Sequence, residues 1–350
     1  MAGSRHHQVP QFLMKGFASR IISKQKGDAV FVWTYRKGIE PFESSTVDVG
    51  VEKKFYQEGK LNVDPEITEL EGPFATCLNE IRRSPDGYRV TDSTFIEFIV
   101  HLTARTKHVR DTFISGGGFL ADGLLAYLSD NWREYFRRYF AKNREEVKDK
   151  LEKSLQEKNA SAFHKAKARQ LVNSLTPKAM VQLIERTGNY DLWFPVVRQY
   201  MAAELNDVVK QAHIKSLLSG LVSEPRVEHF QKFYWFVRRS SETLILGDVC
   251  CLFMIDSKFK SLGGRQDNIQ IIYLPIASDC VVVGNIIDEL PSINPSELNE
   301  ASAKVSRDYF VSKERSPEMI RLQALLGSQS EFLTNAELTQ ILDEAIAEHL

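Results

Sequence analysis

The chain has 350 residues, of which 43% are apolar and 26% charged, with a formal net charge of −1. That balance fits a soluble globular protein with a sizeable core, and it excludes a polycation that coats nucleic acid by bulk charge. Cys77, Cys250, Cys251 and Cys280 show no C-x-x-C spacing, so neither a disulfide framework nor a cysteine zinc site is expected.

The opening lacks the apolar stretch of a signal peptide, and no apolar run approaches the roughly 20 residues that cross a bilayer. A cytoplasmic protein with no membrane partner is expected. Behind Pro10, the residues Val9, Phe12, Leu13, Met14 and Phe17 recur at about helical spacing. They predict a short, docked helix from Pro10 to about Ser19, with His6 and His7 at its N-terminal mouth. Residues 28–57 read as strands around an Arg36-Lys37-Gly38 turn, closing on Phe55-Tyr56. Tyr56 is either a half-buried strand tyrosine or a hydrogen-bond donor in a site. Residues 62–83 read as a helix with Ile67, Leu70, Phe74, Leu78 and Ile81 on one face. Glu66, Glu69 and Glu71 crowd its first turns, where the helix dipole favours carboxylates.

A helix is predicted from Ser93 to about Ile114. Its first half is apolar on most sides, yet Glu97, His101, Arg105 and His108 recur at steps of four, four and three. One side of a helix therefore carries all four. Such a stripe is solvated, paired or functional, because buried unpaired charge is costly. Gly116-Gly117-Gly118 lacks a phosphate-loop frame and reads as a helix cap and hinge.

Residues 119–221 read as mostly helical. Trp132, Tyr135, Phe136, Tyr139 and Phe140 form an aromatic stripe, and residues 131–169 hold twelve Lys/Arg against six Asp/Glu. The stripe is a core seam with a solvated basic back, or a surface that stacks and neutralises a single nucleic-acid strand. Residues 161–169 read as a mobile connection, and residues 178–187 and 193–221 as further helices. Short strands follow at 232–239, 243–245, 250–255, 269–274 and 280–283. Asp248 falls at a turn between two of them, either bonding local backbone or serving as an acidic site residue. Residues 292–307 form a helix, and residues 317–350 two amphipathic helices. Residues 286–350 hold twelve Asp/Glu against five Lys/Arg, a surface suited to a protein partner. The expected class is α+β: an N-terminal helix and β-hairpin, a large helical middle, an antiparallel sheet in the C-terminal half and a helical tail. One domain over 1–310 with a helical insertion at about 119–220, and a tail over 311–350, is the expected division.

His6, His7, Val9, Pro10, Gln11, Phe12 and Phe17 match a pattern close to H-H-x-V-P-Q-F-x-L-x-x-F, with Met14 in place of the usual leucine. In this the chain resembles a largely bacterial family known as domain of unknown function 4238. The resemblance extends over about residues 5–310. It includes a W-x-Y strand leading to F-Y, Glu71-x-x-x-Ala75-x-x-Leu78, Gly247-Asp248, Tyr273-Leu274-Pro275-Ile276 and Asn299. An R-T-P-x-x-R signature is matched by Arg105, Thr106 and Arg110, with Lys107 in the proline's place, a change that predicts an unbroken helix. The resemblance singles out positions and assigns no reaction.

His6, His7, Glu71, Arg105 and Asp248 together suit phosphodiester hydrolysis on nucleic acid or a nucleotide. His7 would act as general base or, with Asp248, as ligand to Mg²⁺ or Mn²⁺. His6 and Asp248 would support it, and Arg105 would clamp the phosphate. Tyr56, His101 and Arg110 would contact substrate. A bacterial defence or toxin effector is the biological setting that fits such an enzyme. The alternative is a non-catalytic nucleotide- or protein-binding module. There the same set welds the N-terminus to the core, with His6 or His7 donating to a backbone carbonyl and Glu71–Arg105 a structural ion pair. Oligomeric scaffolding by the 119–220 helices is a third reading.

Overall fold

The computed structural model describes residues 5–23, 25, 27–146, 149–150, 153, 165–167, 170, 176–187, 190–262, 268–331 and 333–349. In chain order the first elements are β1 (Arg5–His7), α1 (Gln11–Met14), β2 (Arg20–Ile22), β3 (Ala29–Arg36), β4 (Ile39–Ser45) and β5 (Val51–Lys53). Next come β6 (Gln57–Glu58), β7 (Leu61–Asn62), α2 (Asp64–Arg83), β8 (Arg89–Val90), α3 (Ser93–Arg105) and α4 (Lys107–Lys142). They are followed by α5 (Pro177–Thr187), α6 (Tyr190–Ser219), α7 (Glu224–Phe230), β9 (Tyr234–Arg239), β10 (Leu246–Gly247), β11 (Leu252–Ile255) and β12 (Lys258–Lys260). The last are β13 (Ile269–Ala277), β14 (Cys280–Asn285), α8 (Pro295–Val305), β15 (Tyr309–Ser312), α9 (Pro317–Gln323) and α10 (Asn335–His349). The class is α+β, with every strand pairing antiparallel.

The chain divides into two compact units. Residues 1–114 and 207–333 make one, and residues 115–206 and 334–350 the other. Among the described residues the first unit holds two larger sheets and two strand pairs, β1-β5 and β6-β7. One larger sheet runs β12-β11-β13-β14-β9-β8, and the other runs β10-β15-β3-β2 with β4 on the far edge of β3. β13 and β14 are buried along almost their whole length, which explains their continuous apolar runs. Helix α3 lies against this sheet through Phe95 and Trp235, edge to face at 5.5 Å. Leu13, Met14 and Phe17 are fully buried, so the N-terminal helix is docked as expected. Arg82 of α2 secures it by donating to the carbonyls of Phe12, Leu13 and Ile276 at 2.8–3.0 Å.

Several expectations are corrected. The first helix is a single turn, Gln11–Met14, followed by a 3-10 turn to Phe17. His6 and His7 lie in strand β1, paired with β5, rather than at a helix mouth. Strand β2 carries exposed Ile21 and Ile22 and gave no alternating pattern. Residues 243–245 are not a strand, and Cys250-Cys251 form a buried turn ahead of β11, with Cys250 at φ +61°. The run from Ser93 is not continuous: Thr106 is extended (ψ 150°), separating α3 from α4. Lys107 in place of proline does not abolish the break, because two side chains take the carbonyls that would continue the ladder. His213 Nε2 donates to Ala104 O at 2.9 Å, and Tyr56 Oη to Arg105 O at 3.1 Å.

In the second unit, Gly116–Gly118 run inside α4 and cap no helix. A Cβ on Gly117 would meet Leu205 Cδ1 at 3.3 Å, so the missing side chain serves close helix packing. Trp132 is buried, the other stripe aromatics are half-buried, and Arg133, Arg137 and Arg138 are exposed. This is the seam-and-basic-back arrangement. Most of residues 161–169, read as a connection, lies outside the described residues.

Asn299 shows how side chains finish the sheets. Its Oδ1 accepts from Ile245 N at 3.0 Å and its Nδ2 donates to Thr243 O at 2.8 Å. A buried backbone group left bare costs about 1–3 kcal/mol, whereas a lost helix cap costs about 1 kcal/mol. In urea denaturation, Asn299→Leu is therefore expected to lower the unfolding free energy by more than Asn294→Ala, which removes the cap of α8.

Candidate functional site

Arg105, the last residue of α3, is 1% exposed. An arginine cannot shed its charge, so burial demands a partner for each nitrogen. Nη1 donates to Glu71 Oε1 at 2.9 Å and to His101 Nε2 at 3.1 Å. Nη2 donates to the His7 carbonyl at 2.7 Å, and Nε to Tyr56 Oη at 3.1 Å. The ion pair reaches the surface only at Glu71, whose side chain is 32% exposed. α2, α3, β1 and the Phe55-Tyr56 turn thus meet on one guanidinium.

The two histidines of β1 point to opposite faces of the strand, as the pleat requires. His6 is buried and stacks on Tyr56, with ring centroids 5.5 Å apart. Its Nδ1 accepts from Tyr56 N at 2.8 Å, and its Nε2 lies 3.8 Å from Asp64 Oδ1. In place of the donation to a carbonyl expected of a weld, His6 accepts from a backbone N–H. His7 is half-buried, and its Nε2 accepts from Gln11 Nε2 at 2.9 Å. Burial lowers the His7 pKa, against the opposing pull of the Val49 carbonyl.

Arg110 makes a second, adjoining anchor. Its Nη2 donates to Phe55 O at 2.7 Å, its Nε to His213 Nδ1 at 3.2 Å, and its guanidinium lies over the Phe55 ring at 3.6 Å. Burial pushes three neighbouring imidazoles down. His101, with the Arg105 charge beside it, falls to about 3, and His213 and His108 fall to about 4. His108 Nε2 meets Ser261 Oγ at 2.6 Å, so the predicted stripe splits at the Thr106 break.

His6, His7, Tyr56, Glu71, His101 and Arg105 are therefore brought together, with Arg110 beside them. Asp248 is engaged elsewhere. Its carboxylate accepts from the backbone N–H groups of Arg307, Asp308 and Tyr309 at 2.6–3.3 Å, stapling the start of β15. Burial pushes its pKa up to about 6 against those donors. Among the described residues no hydrogen bond or ion pair joins Asp248 to the Arg105 set. Nor, among the described residues, do three or more His, Cys, Asp or Glu gather in a group that could hold a metal ion. No described helix is long and apolar enough to cross a membrane.

A family model described as protein of unknown function (DUF4238) matches residues 5–313. The chain belongs to this family. No curated protein and no solved structure matches it. In this DUF4238 chain, three of the positions that the motifs single out, His7, Tyr56 and Glu71, bond the buried Arg105 guanidinium directly. Sequence reasoning missed His213, which lies 103 residues from Arg110 in a stretch with no distinguishing pattern.

The neutral histidines give the DUF4238 unit an acid limit. With folded pKa values below the ordinary 6.5, His101, His108 and His213 bind protons more readily once unfolded, so stability falls as pH drops from about 6.5 towards 4. Asp248, raised to about 6, acts in the opposite sense and loses its contribution as pH rises from about 4 to 6. Three groups outweigh one. The unfolding temperature is expected to fall over pH 6.5–4 in a scanning-calorimetry series, and His213→Gln to flatten that fall.

Proposed function

We propose that the chain is a binding module without turnover, in which the His6, His7, Glu71, Arg105 set is a structural weld. One observation carries this reading: every nitrogen of the Arg105 guanidinium is bonded within the chain. A phosphate clamp needs a free edge on its guanidinium, and this one is spent on Glu71, His101, His7 and Tyr56. The partner is a nucleotide-like or protein ligand, and the weld holds β1 and the Phe55-Tyr56 turn in the shape that receives it.

Removing one member of a buried ion pair costs about 3–5 kcal/mol, because the other charge is left bare. Arg105→Ala is expected to lose stability on that scale. Arg105→Lys is expected to recover only part of it, since one ammonium cannot span four partners. The measurement is a nuclease panel of single- and double-stranded DNA and RNA with Mg²⁺, Mn²⁺ or EDTA, run beside thermal unfolding. The expected result is no cleavage by wild type and a lowered unfolding temperature for Arg105→Ala. Cleavage abolished by His7→Ala with unfolding unchanged would overturn the proposal.

A specific feature favours the phosphodiester hydrolase as second reading. His7 is half-buried, held towards its neutral form, and feels the charge of Glu71, a disposition suited to a general base. The same panel separates the two readings.

A further inference from the structure

Beside the weld, and separate from it, lies a cavity of about 420 Å³ in the first unit, within the range of small-molecule sites. Gln8 and Lys107, close chain neighbours of His7 and Arg105, line it with Gly50–Glu52, Arg36, Lys37, Ile39 and residues 307–309. Four cations line it, Arg36, Lys37, Lys107 and Arg307, against two carboxylates, Glu52 and Asp308. Lys107 bonds Asp308 at 2.7 Å, and Arg307 lies 3.5 Å from Asp111, so those two cations are neutralised within the chain. Among the described residues Arg36 and Lys37 have no carboxylate partner.

The wall beneath Arg36 holds two donors without acceptors. Arg36 Nε and Tyr309 Oη are buried and make no hydrogen bond among the described residues, and Tyr309 is 3% exposed. The Arg36 guanidinium lies 5.8 Å from the Tyr309 ring centroid. Gly50 closes over the tyrosine at φ +61°, where a Cβ would collide with the hydroxyl. Native proteins seldom leave buried donors bare, and such groups in a cavity wall are the ones an incoming acceptor satisfies. α4 begins at Lys107 on the same rim, so its N-terminal dipole adds positive potential.

We propose that this cavity binds a small phosphate monoester with a hydroxylated body, the chemistry of a sugar phosphate or mononucleotide. The dianionic phosphate matches the two unpaired cations, Arg36 and Lys37, and accepts from the donors at Tyr309. Glu52 and Asp308 accept from hydroxyl groups on the body, which a bare inorganic anion does not offer. Gln8 Nε2 holds one Glu52 oxygen at 3.1 Å, orienting the carboxylate. The site stands apart from the Arg105 set and holds whether or not that set is catalytic.

The test is calorimetric titration and thermal shift of the full chain with ribose 5-phosphate, inorganic phosphate and ribose. Ribose 5-phosphate is expected to bind and raise the unfolding temperature, inorganic phosphate to bind at least tenfold more weakly, and ribose not to bind. Arg36→Gln is expected to weaken the ester at least tenfold and exposed Lys37→Gln several-fold. Tyr309→Phe, which removes only an unpartnered hydroxyl, is expected to weaken it several-fold without lowering the unfolding temperature of the free protein. Arg89→Gln, on the other sheet and paired with Asp288, is expected to leave binding unchanged. Three results overturn the proposal: no ester binding at millimolar concentration, ester and phosphate bound equally, or Arg36→Gln and Lys37→Gln both binding as wild type. Should the bound ester be hydrolysed, the site survives and the reading without turnover falls.

Discussion

A permanent charge placed where water cannot reach it constrains everything around it. Arg105 is such a charge, and the unit is arranged to answer it. A carboxylate comes from α2, an imidazole from α3 itself, a hydroxyl from the turn before β6 and a carbonyl from β1. The cost of leaving any member unmatched makes the arrangement close to all-or-none. The same network fixes the chain's path: Tyr56 both accepts from the guanidinium and donates to the Arg105 carbonyl, so meeting the charge also ends the helix.

Where a local pattern decided the outcome, the sequence was readable. The apolar face of α2, the docking of Leu13, Met14 and Phe17, and most of the short strands of the C-terminal half follow from periodicity and turn chemistry. The grouping of His6, His7, Glu71 and Arg105 was also foreseen, through motif positions rather than distances. What failed was whatever depends on a distant partner. The Thr106 break is imposed by Tyr56 and His213, neither of which is near it in sequence. Asp248 was expected to join the site because its residue type suits catalysis. Its partners are three backbone N–H groups about sixty residues onward, which residue type does not announce.

Two adjacent histidines invite a shared role, and the strand denies it. β1 sets His6 inward against Tyr56 and Asp64, and His7 towards Gln11 at the rim. The inner ring is part of the packing, whereas the outer one retains partial access to solvent. A reading that treats the pair as one unit misses that alternation. The cavity illustrates the same point from the other side. Arg36 and Lys37 lie more than 270 residues from Tyr309 along the chain, and strand pairing makes neighbours of them.

That pairing has a consequence for how the molecule comes into being. β4 pairs with one edge of β3 locally, whereas the opposite edge of residues 33–36 waits for residues 309–312 of β15. On the ribosome, the long stretch between residues 36 and 309 must emerge before this sheet can close, and loop closure over that span is slow. Until then residues 33–36 present one open edge, the kind that recruits other strands. Synthesis of the intervening stretch therefore leaves that edge exposed to mispairing, and a chaperone that shields residues 33–36 would act on the vulnerable step.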